Sequence, residues 1–283
     1  MLRRIGGWVP GKARLVTGLH ETRAWGLTAA QIFLTPAHKA VIFAPEDGVD
    51  TVGLQSIAEH VQLFVHAPYV MSLFPPLVKH SRQLAPLRML ATHAASIGAV
   101  GLVLHLGEID EYGETAVVAA RQMIEDLPIR IFIENSTHAA LKTVVEFIVR
   151  LRDSGTDVAL CLDTARAWVA GDAALFGDAR AFDTLVNTYL TPALGLFHLN
   201  NSTQPFNVKT HQGLYAPLLF GSIGTEWFER VLKVFPQTPV ILERASPVQM
   251  VVDRAVVTAI DCDLTHTLFA LKNHPISGSL SQS

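Results

Sequence analysis

The chain has 283 residues, 49% of them apolar and 17% charged, with a formal net charge of −3, enough apolar material for one large core. That charge balance gives no general attraction to nucleic acid, so a DNA partner would have to be met by a local basic surface. No run of eighteen or more apolar residues offers a membrane span, and Cys161 and Cys262 are too far apart to frame a disulfide scaffold, so both read as core thiols. Residues 1–8 carry Arg3, Arg4, Gly6 and Gly7 without a long apolar stretch and do not read as a secretion signal, so an intracellular protein of nucleus or cytoplasm is expected.

In chain order, short aliphatic and β-branched runs fall at 4–9, 29–34, 62–66, 101–105, 130–134, 158–163, 194–199 and 240–243. Helix-like segments separate them. Leu87, Leu90, Ala94 and Ile97 mark one helical face, closed by Gly98, and Leu141, Val144, Val145, Ile148 and Leu151 mark another. Regular alternation of strand and helix predicts a parallel sheet, and eight units predict closure into a TIM-type (β/α)8 barrel over residues 1–274 as a single domain, with an open doubly wound sheet as the alternative. Residues 275–283, rich in Ser and Gly, read as a frayed tail without function.

Six of the eight runs end in a residue that binds metal well: His66, His105, Glu134, Asp163, His198 and Glu243. In a parallel barrel all six would point into one mouth. Because side chains alternate along a strand, the residues two positions earlier, Phe64, Val103, Phe132, Cys161, Leu196 and Ile241, would form an apolar plug beneath them. One histidine or carboxylate at a strand end is ordinarily a hydrogen-bonded structural residue. Six at equivalent places are not, since burying three carboxylates without cations costs several kcal/mol each. Mixed imidazole and carboxylate donors suit zinc, manganese or iron rather than calcium. Two such ions lower the pKa of a bound water, which suits attack on a phosphodiester.

At these residues the sequence resembles the endonuclease IV family of apurinic/apyrimidinic endonucleases, within the xylose-isomerase-like barrels. The matching segments are His66-Ala67-Pro68-Tyr69, Gly101-Leu102-Val103-Leu104-His105-Leu106-Gly107, Glu134-Asn135, Cys161-Leu162-Asp163-Thr164-Ala165, His198-Leu199-Asn200, Gly221-Ser222-Ile223-Gly224 and Leu242-Glu243, in family order. Several are closest in wording to the shorter members carried by large DNA viruses. The resemblance implies a three-zinc site that cuts the backbone 5′ to an abasic site, with His66 and His105 on the first ion, Glu134 bridging, and Asp163, His198 and Glu243 on the second. His211 matches one ligand of the third ion. Its companions are replaced: the family's Asp-Thr-x-His reads Asp163-Thr164-Ala165-Arg166, and its Asp-x-His reads Lys209-Thr210-His211.

Arg166 and Lys209 cannot ligate a cation, so two divalent ions, zinc or manganese, are expected and the third is not. Both residues put fixed positive charge where the family puts a metal, which would let them clamp a phosphate. Other departures are Asn201 for an aspartate, His38 for an arginine that enters the DNA, and Trp8 for a histidine. Tyr69 matches a bulky residue that helps hold a bent duplex, and with His38, Lys39, Lys79 and Arg82 it forms the expected DNA-facing set. His60, His93 and His138 read as surface or helix histidines, and Arg88 as a solvated helix residue. The leading expectation is a monomeric, metal-dependent endonuclease of base excision repair acting on double-stranded DNA with an abasic site, with Glu134, Glu243, Arg166 and Lys209 as its catalytic set. A catalytically impaired DNA- or protein-binding homologue, and a single-metal sugar isomerase or epimerase, are the competing readings.

Overall fold

The computed structural model describes residues 3–9, 15–38, 50–74, 77–107, 113–210, 212–244 and 246–264, without side chains at 77–83. Lys39, His211 and the tail expected at 275–283 lie outside the described residues. Lys79 and Arg82 fall on the helix Leu77–Ser96, with their side chains outside the description.

Eleven strands follow in chain order: β1 (Ile5–Val9), β2 (Ala29–Ile32), β3 (Gln62–His66), β4 (Ser72–Phe74), β5 (Gly101–Gly107), β6 (Ile131–Glu134), β7 (Val158–Asp163), β8 (Leu194–His198), β9 (Asn201–Ser202), β10 (Tyr215–Ala216) and β11 (Val240–Leu242). All eight expected runs are strands, with ends shifted by a residue or two. They pair in parallel in the order β3-β2-β1-β11-β8-β7-β6-β5, and β3 pairs with β5 to close the ring. The fold is therefore a closed eight-stranded parallel barrel. β4 adds a ninth stave segment. β3 pairs with the lower half of β5 and β4 with its upper half, so the barrel wall continues past the point where β3 steps out. β9 and β10 form a separate antiparallel hairpin above β8.

The strands run nearly unbroken in Val, Ile, Leu and Phe because each is covered on both faces. Outside, helices lie on them through the expected stripes: Leu141, Val144, Val145, Ile148 and Leu151 are buried on the helix Leu141–Asp153, and Leu87, Leu90 and Ala94 on Leu77–Ser96. Gly98 follows that helix at φ +77°, a left-handed conformation in which a side chain would be strained. Inside, all six expected plug residues form one buried cluster, joined by Ala29 and Ala159. Phe64 and Phe132 meet edge to face in it with centroids 5.5 Å apart. The plug closes the barrel beneath the site and keeps its floor apolar.

A candidate metal centre at the barrel mouth

Parallel strands bring their carboxyl ends to one mouth, and here six ligand-type side chains collect there: His66, Glu134, Asp163 and His198 close their strands, His105 lies two residues inside the end of β5, and Glu243 directly follows β11. His66 closes β3, with Nδ1 2.5 Å from the Ala67 carbonyl oxygen; donation there leaves the Nε2 lone pair facing Glu134 Oε2 at 3.4 Å. His198 closes β8; its Nε2 donates to Gln31 Oε1 at 2.7 Å, leaving Nδ1 3.4 Å from Glu134 Oε1 and 3.6 Å from Glu243 Oε1. Fixing one ring nitrogen on an acceptor so that the other presents its lone pair is how proteins prepare a metal-ligating histidine. His105 Nε2 lies 2.8 Å from Glu134 Oε2, off the line of a hydrogen bond, so this buried nitrogen lacks a proper partner.

The ligand atoms group into three overlapping triads: His66, His105 and Glu134; His66, His198 and Glu243; and Glu134, Asp163 and His198. Within each, one donor atom per residue lies within 4.8 Å of the others. This donor set, with an orphaned ring nitrogen among buried carboxylates, fits divalent ions of the zinc or manganese type.

The carboxylates are held by polar side chains that sequence reasoning passed over. Gln31, fully buried on β2, donates Nε2 to Glu243 Oε1 at 3.2 Å while accepting from His198. Asn200 Nδ2 lies 3.1 Å from both Asp163 Oδ2 and Glu243 Oε2, and its Oδ1 accepts from Arg244 at 2.8 Å. Tyr215, on the hairpin, donates its hydroxyl to Asp163 Oδ2 at 2.8 Å. Asn135 exchanges hydrogen bonds with the Asp163 backbone. Asn135 and Asn200 were findable as polar residues just past a strand end; nothing in the sequence pointed to Tyr215.

Asp163 also caps the helix Thr164–Ala170, its Oδ1 accepting from the Arg166 backbone N–H at 2.8 Å. The Arg166 guanidinium turns back over that cap, with Nε 2.9 Å from Glu134 Oε1 and 3.6 Å from Asp163 Oδ2. Burial by itself would raise the Glu134 carboxyl; the charges of Arg166, His105 and His198 reverse this and hold it well below the usual range. Burial, with the charges of Glu134 and Glu243, pushes Asp163 up to about 6 despite Arg166 and His198. Burial works against a charged His198, and the fields of Cys161, Glu243 and Glu134 overcome it and keep the imidazolium well above its ordinary value. Burial also pushes the Cys161 thiol up to about 12, so at neutral pH the carboxylates are the partners that matter. Burial lowers His105, which favours the neutral ring a metal needs.

Tyr69 roofs the site. Its ring stacks on His105 with centroids 5.4 Å apart and meets His66 edge-on, and His38 lies beside it at 5.2 Å. It remains 42% exposed, so one face is open to solvent. Lys209 is exposed on the loop beside the Arg166 helix, at φ 52° and with its N–H on the Val169 carbonyl at 2.8 Å. The structure thus brings Arg166, but not Lys209, onto the carboxylates. Trp8 ends β1 against Phe33 and offers no ligand.

Three other expectations meet the structure differently or need a reason. Cys262 is exposed rather than in the core, because it sits just past the end of the helix Pro247–Asp261. His93 is buried, since it falls three residues after Leu90 on the inward face of its helix. Arg88 pairs with Asp126 at the surface at 3.8 Å, as a solvated residue should, and His60 and His138 are exposed. Asn201 is a structural knot: its amide donates to the Leu218 and Ile223 carbonyls, and its oxygen accepts from the Ser202 and Ile223 N–H groups. An aspartate could not make both donations.

A closed eight-stranded parallel barrel with imidazoles and carboxylates gathered at the carboxyl ends of its strands has the TIM-barrel fold. Over 240 residues it is 28% identical to "Probable endonuclease 4" of Mycobacterium marinum, covering 80% of this chain and 88% of that protein. Over 270 residues it is 24% identical to "Probable AP endonuclease" of African swine fever virus, covering 86% of each. The fold matches that of endonuclease IV from Thermus thermophilus with a TM-score of 0.73 at 21% identity, over 91% of this chain and 98% of that one. No protein-family profile matches the chain. The chain is thus similar to endonuclease 4 and AP endonuclease relatives over most of its length. Among the described residues, no helix is long and apolar enough to cross a membrane.

Proposed function

We propose that the protein is a metal-dependent phosphodiester hydrolase of base excision repair that cuts double-stranded DNA at abasic or damaged sites. The observation that carries this reading is the convergence of six donors at the ends of six strands into three overlapping triads, two of which share Glu134. His66, His105 and Glu134 would hold one divalent ion, and Glu134, Asp163, His198 and Glu243 a second, zinc or manganese; when bound, such ions supply a water nucleophile at neutral pH and neutralise charge on a phosphate. One chain supplies all six donors, so the site needs no residue from a second copy, in keeping with the proposed action as a monomer.

The chain's own residues do the rest. Gln31 and Asn200 fix the carboxylate rotamers, the plug from Phe64 to Ile241 excludes water from below, and Tyr69 offers a flat face at the rim. Tyr69, His38, Lys39, Lys79 and Arg82 would form the DNA-facing set, and Arg166 and Lys209, together with His211, would supply the positive charge that meets the scissile phosphate in place of a third ion. Glu134 and Glu243 belong to the catalytic set as the carboxylates nearest both ring nitrogens of the site.

The test is a nicking assay on a duplex carrying one abasic analogue, with zinc or manganese and after prolonged chelation. Cleavage that chelation removes, and that Glu134→Gln abolishes, supports the proposal. An intact duplex under either metal refutes it. Tight binding to that duplex without a cut would favour the impaired homologue, a reading that the contact of Arg166 with Glu134 keeps in view. The isomerase reading is the weaker one, since a single-ion site has no need of His66 and His105 beside Glu134.

A further inference from the structure

The barrel mouth already contains a cation of its own. The Arg166 side chain, only 16% exposed, lies with Nε 2.9 Å from Glu134 Oε1 and 3.6 Å from Asp163 Oδ2. The approach misses hydrogen-bond geometry, so the attraction is that of charge for charge rather than of a shaped fork. A guanidinium cannot shed its proton in a protein, so it stays a cation whatever else enters the site.

Glu134 is divided by this arrangement. Its Oε2 faces His105 at 2.8 Å and His66 at 3.4 Å, while its Oε1 faces Arg166 and, at 3.4 Å, His198. The three candidate triads are therefore not equivalent. The one made by His66, His105 and Glu134 has no fixed cation against its ring nitrogens. The one made by Glu134, Asp163 and His198 has both of its carboxylates turned to Arg166. Asp163 is further occupied by Tyr215 and Asn200 on Oδ2 and by the Arg166 backbone on Oδ1. An ion at this triad meets a guanidinium already in contact with two of its three ligands.

We propose that Arg166 is the resident counter-ion of the Glu134–Asp163 pair, and that the chain loads its two ions unequally. The first takes His66, His105 and Glu134 without disturbing Arg166. The second takes Glu134, Asp163 and His198, with Glu243 beside them, only by displacing the guanidinium. This inference rests on the metal-centre reading given above and adds to it an order of loading and the residue that sets that order. It also explains how the two buried carboxylates Glu134 and Asp163 stand together before any ion is bound, because the Arg166 guanidinium lies against both. Displacement leaves the guanidinium at the rim without its carboxylates, where a phosphate is its natural bidentate partner. Loading of the second ion and capture of a phosphate then favour the same displaced arginine.

The experiment is calorimetric titration of the metal-free, full-length protein with zinc alone, and separately with manganese alone, beside elemental analysis at limiting free metal. The wild type should show two unequal steps. Arg166→Gln removes the charge and should tighten the weaker step by about ten- to a hundredfold, the range of one charge-assisted contact given up, while moving the tighter step by less than about threefold. Circular dichroism of the metal-free variant reports whether it is folded. Should it not fold, Arg166→Lys keeps the charge but presents a point cation on a different stem, and the weaker step should still tighten by about threefold or more. A weaker step that is unchanged or further weakened in a folded variant, or two equal steps in the wild type, overturns the inference and leaves the metal centre standing. No uptake of either metal by wild type or variant overturns the metal centre itself.

Discussion

Replacing Asp253 probes the layer that holds the site from behind. Arg244 follows Glu243 directly, and its buried guanidinium donates Nε to Asp253 Oδ2 at 2.5 Å and Nη1 to Asn200 Oδ1 at 2.8 Å. Asn200 in turn donates to Asp163 and Glu243. Asp253 is fully buried on the helix Pro247–Asp261 and also accepts the Leu218 N–H at 2.9 Å. Asp253→Ala would leave a buried guanidinium without its counter-charge and the Leu218 N–H without an acceptor. Breaking a buried pair from one side costs about 3–5 kcal/mol, and the Ala variant should fall in that range. Asp253→Asn keeps the volume but only one of the two acceptors, so its amide nitrogen must face either the Leu218 N–H or the Arg244 guanidinium, and a loss of about 3–5 kcal/mol, like that of the Ala variant, is expected. Urea unfolding of the metal-free protein, followed by circular dichroism at unchanged m-value, gives both numbers. Because Asn200 loses its anchor as well, metal affinity of the Asn variant should fall by about ten- to a hundredfold. An Ala variant within about 1 kcal/mol of wild type would show that Arg244 is held by its carbonyl contacts, and the reasoning from the buried pair would be wrong.

Three further outcomes follow from the structure. Asn201→Asp, which restores the residue common in the family, should destabilise the chain by about 1–3 kcal/mol, because the carbonyls of Leu218 and Ile223 lose a donor; equal stability in a urea titration would remove Asn201 from its structural role. Burial depresses the pKa of His93 below its ordinary value. The unfolded chain therefore takes the proton first, and stability present above about pH 6.5 is lost as pH falls through that value. His93→Leu should thus shrink the drop in Tm between about pH 7.5 and about pH 5.5, and an identical drop would contradict the assignment. Of the two thiols, exposed Cys262 should react with a thiol reagent in the native protein. Cys161, buried and pushed up to about 12, should react only on unfolding; rapid labelling of both would mean that the barrel interior opens readily.

The fold and the inner ligand set were legible because a parallel barrel converts sequence position into spatial position. The last residue of every stave reaches one mouth and the residue two before it faces inward, so His66 to Glu243 and Phe64 to Ile241 could be assigned to their layers from spacing alone. The same periodic logic found the buried helix stripes and the left-handed Gly98. It placed His93 on its helix without showing that the ring is buried there, and it failed for Cys262, expected in the core and found exposed just beyond a helix end.

Arg166 shows where sequence runs out. The chain order put it in place of a third-ion ligand, but a guanidinium on a long stem goes to the nearest uncompensated charge, and that charge belongs to Glu134, 32 residues away on the neighbouring strand's end. Gln31, Tyr215 and Arg244 were hidden for the same reason, since each acquires its role by meeting a carboxylate supplied from another part of the chain. The sequence by itself determined the barrel, its apolar plug and the six donors above it, because these depend on local period and on strand direction. Only the tertiary structure decided which cation sits on which carboxylate, because that depends on distances across the barrel mouth that no local pattern encodes.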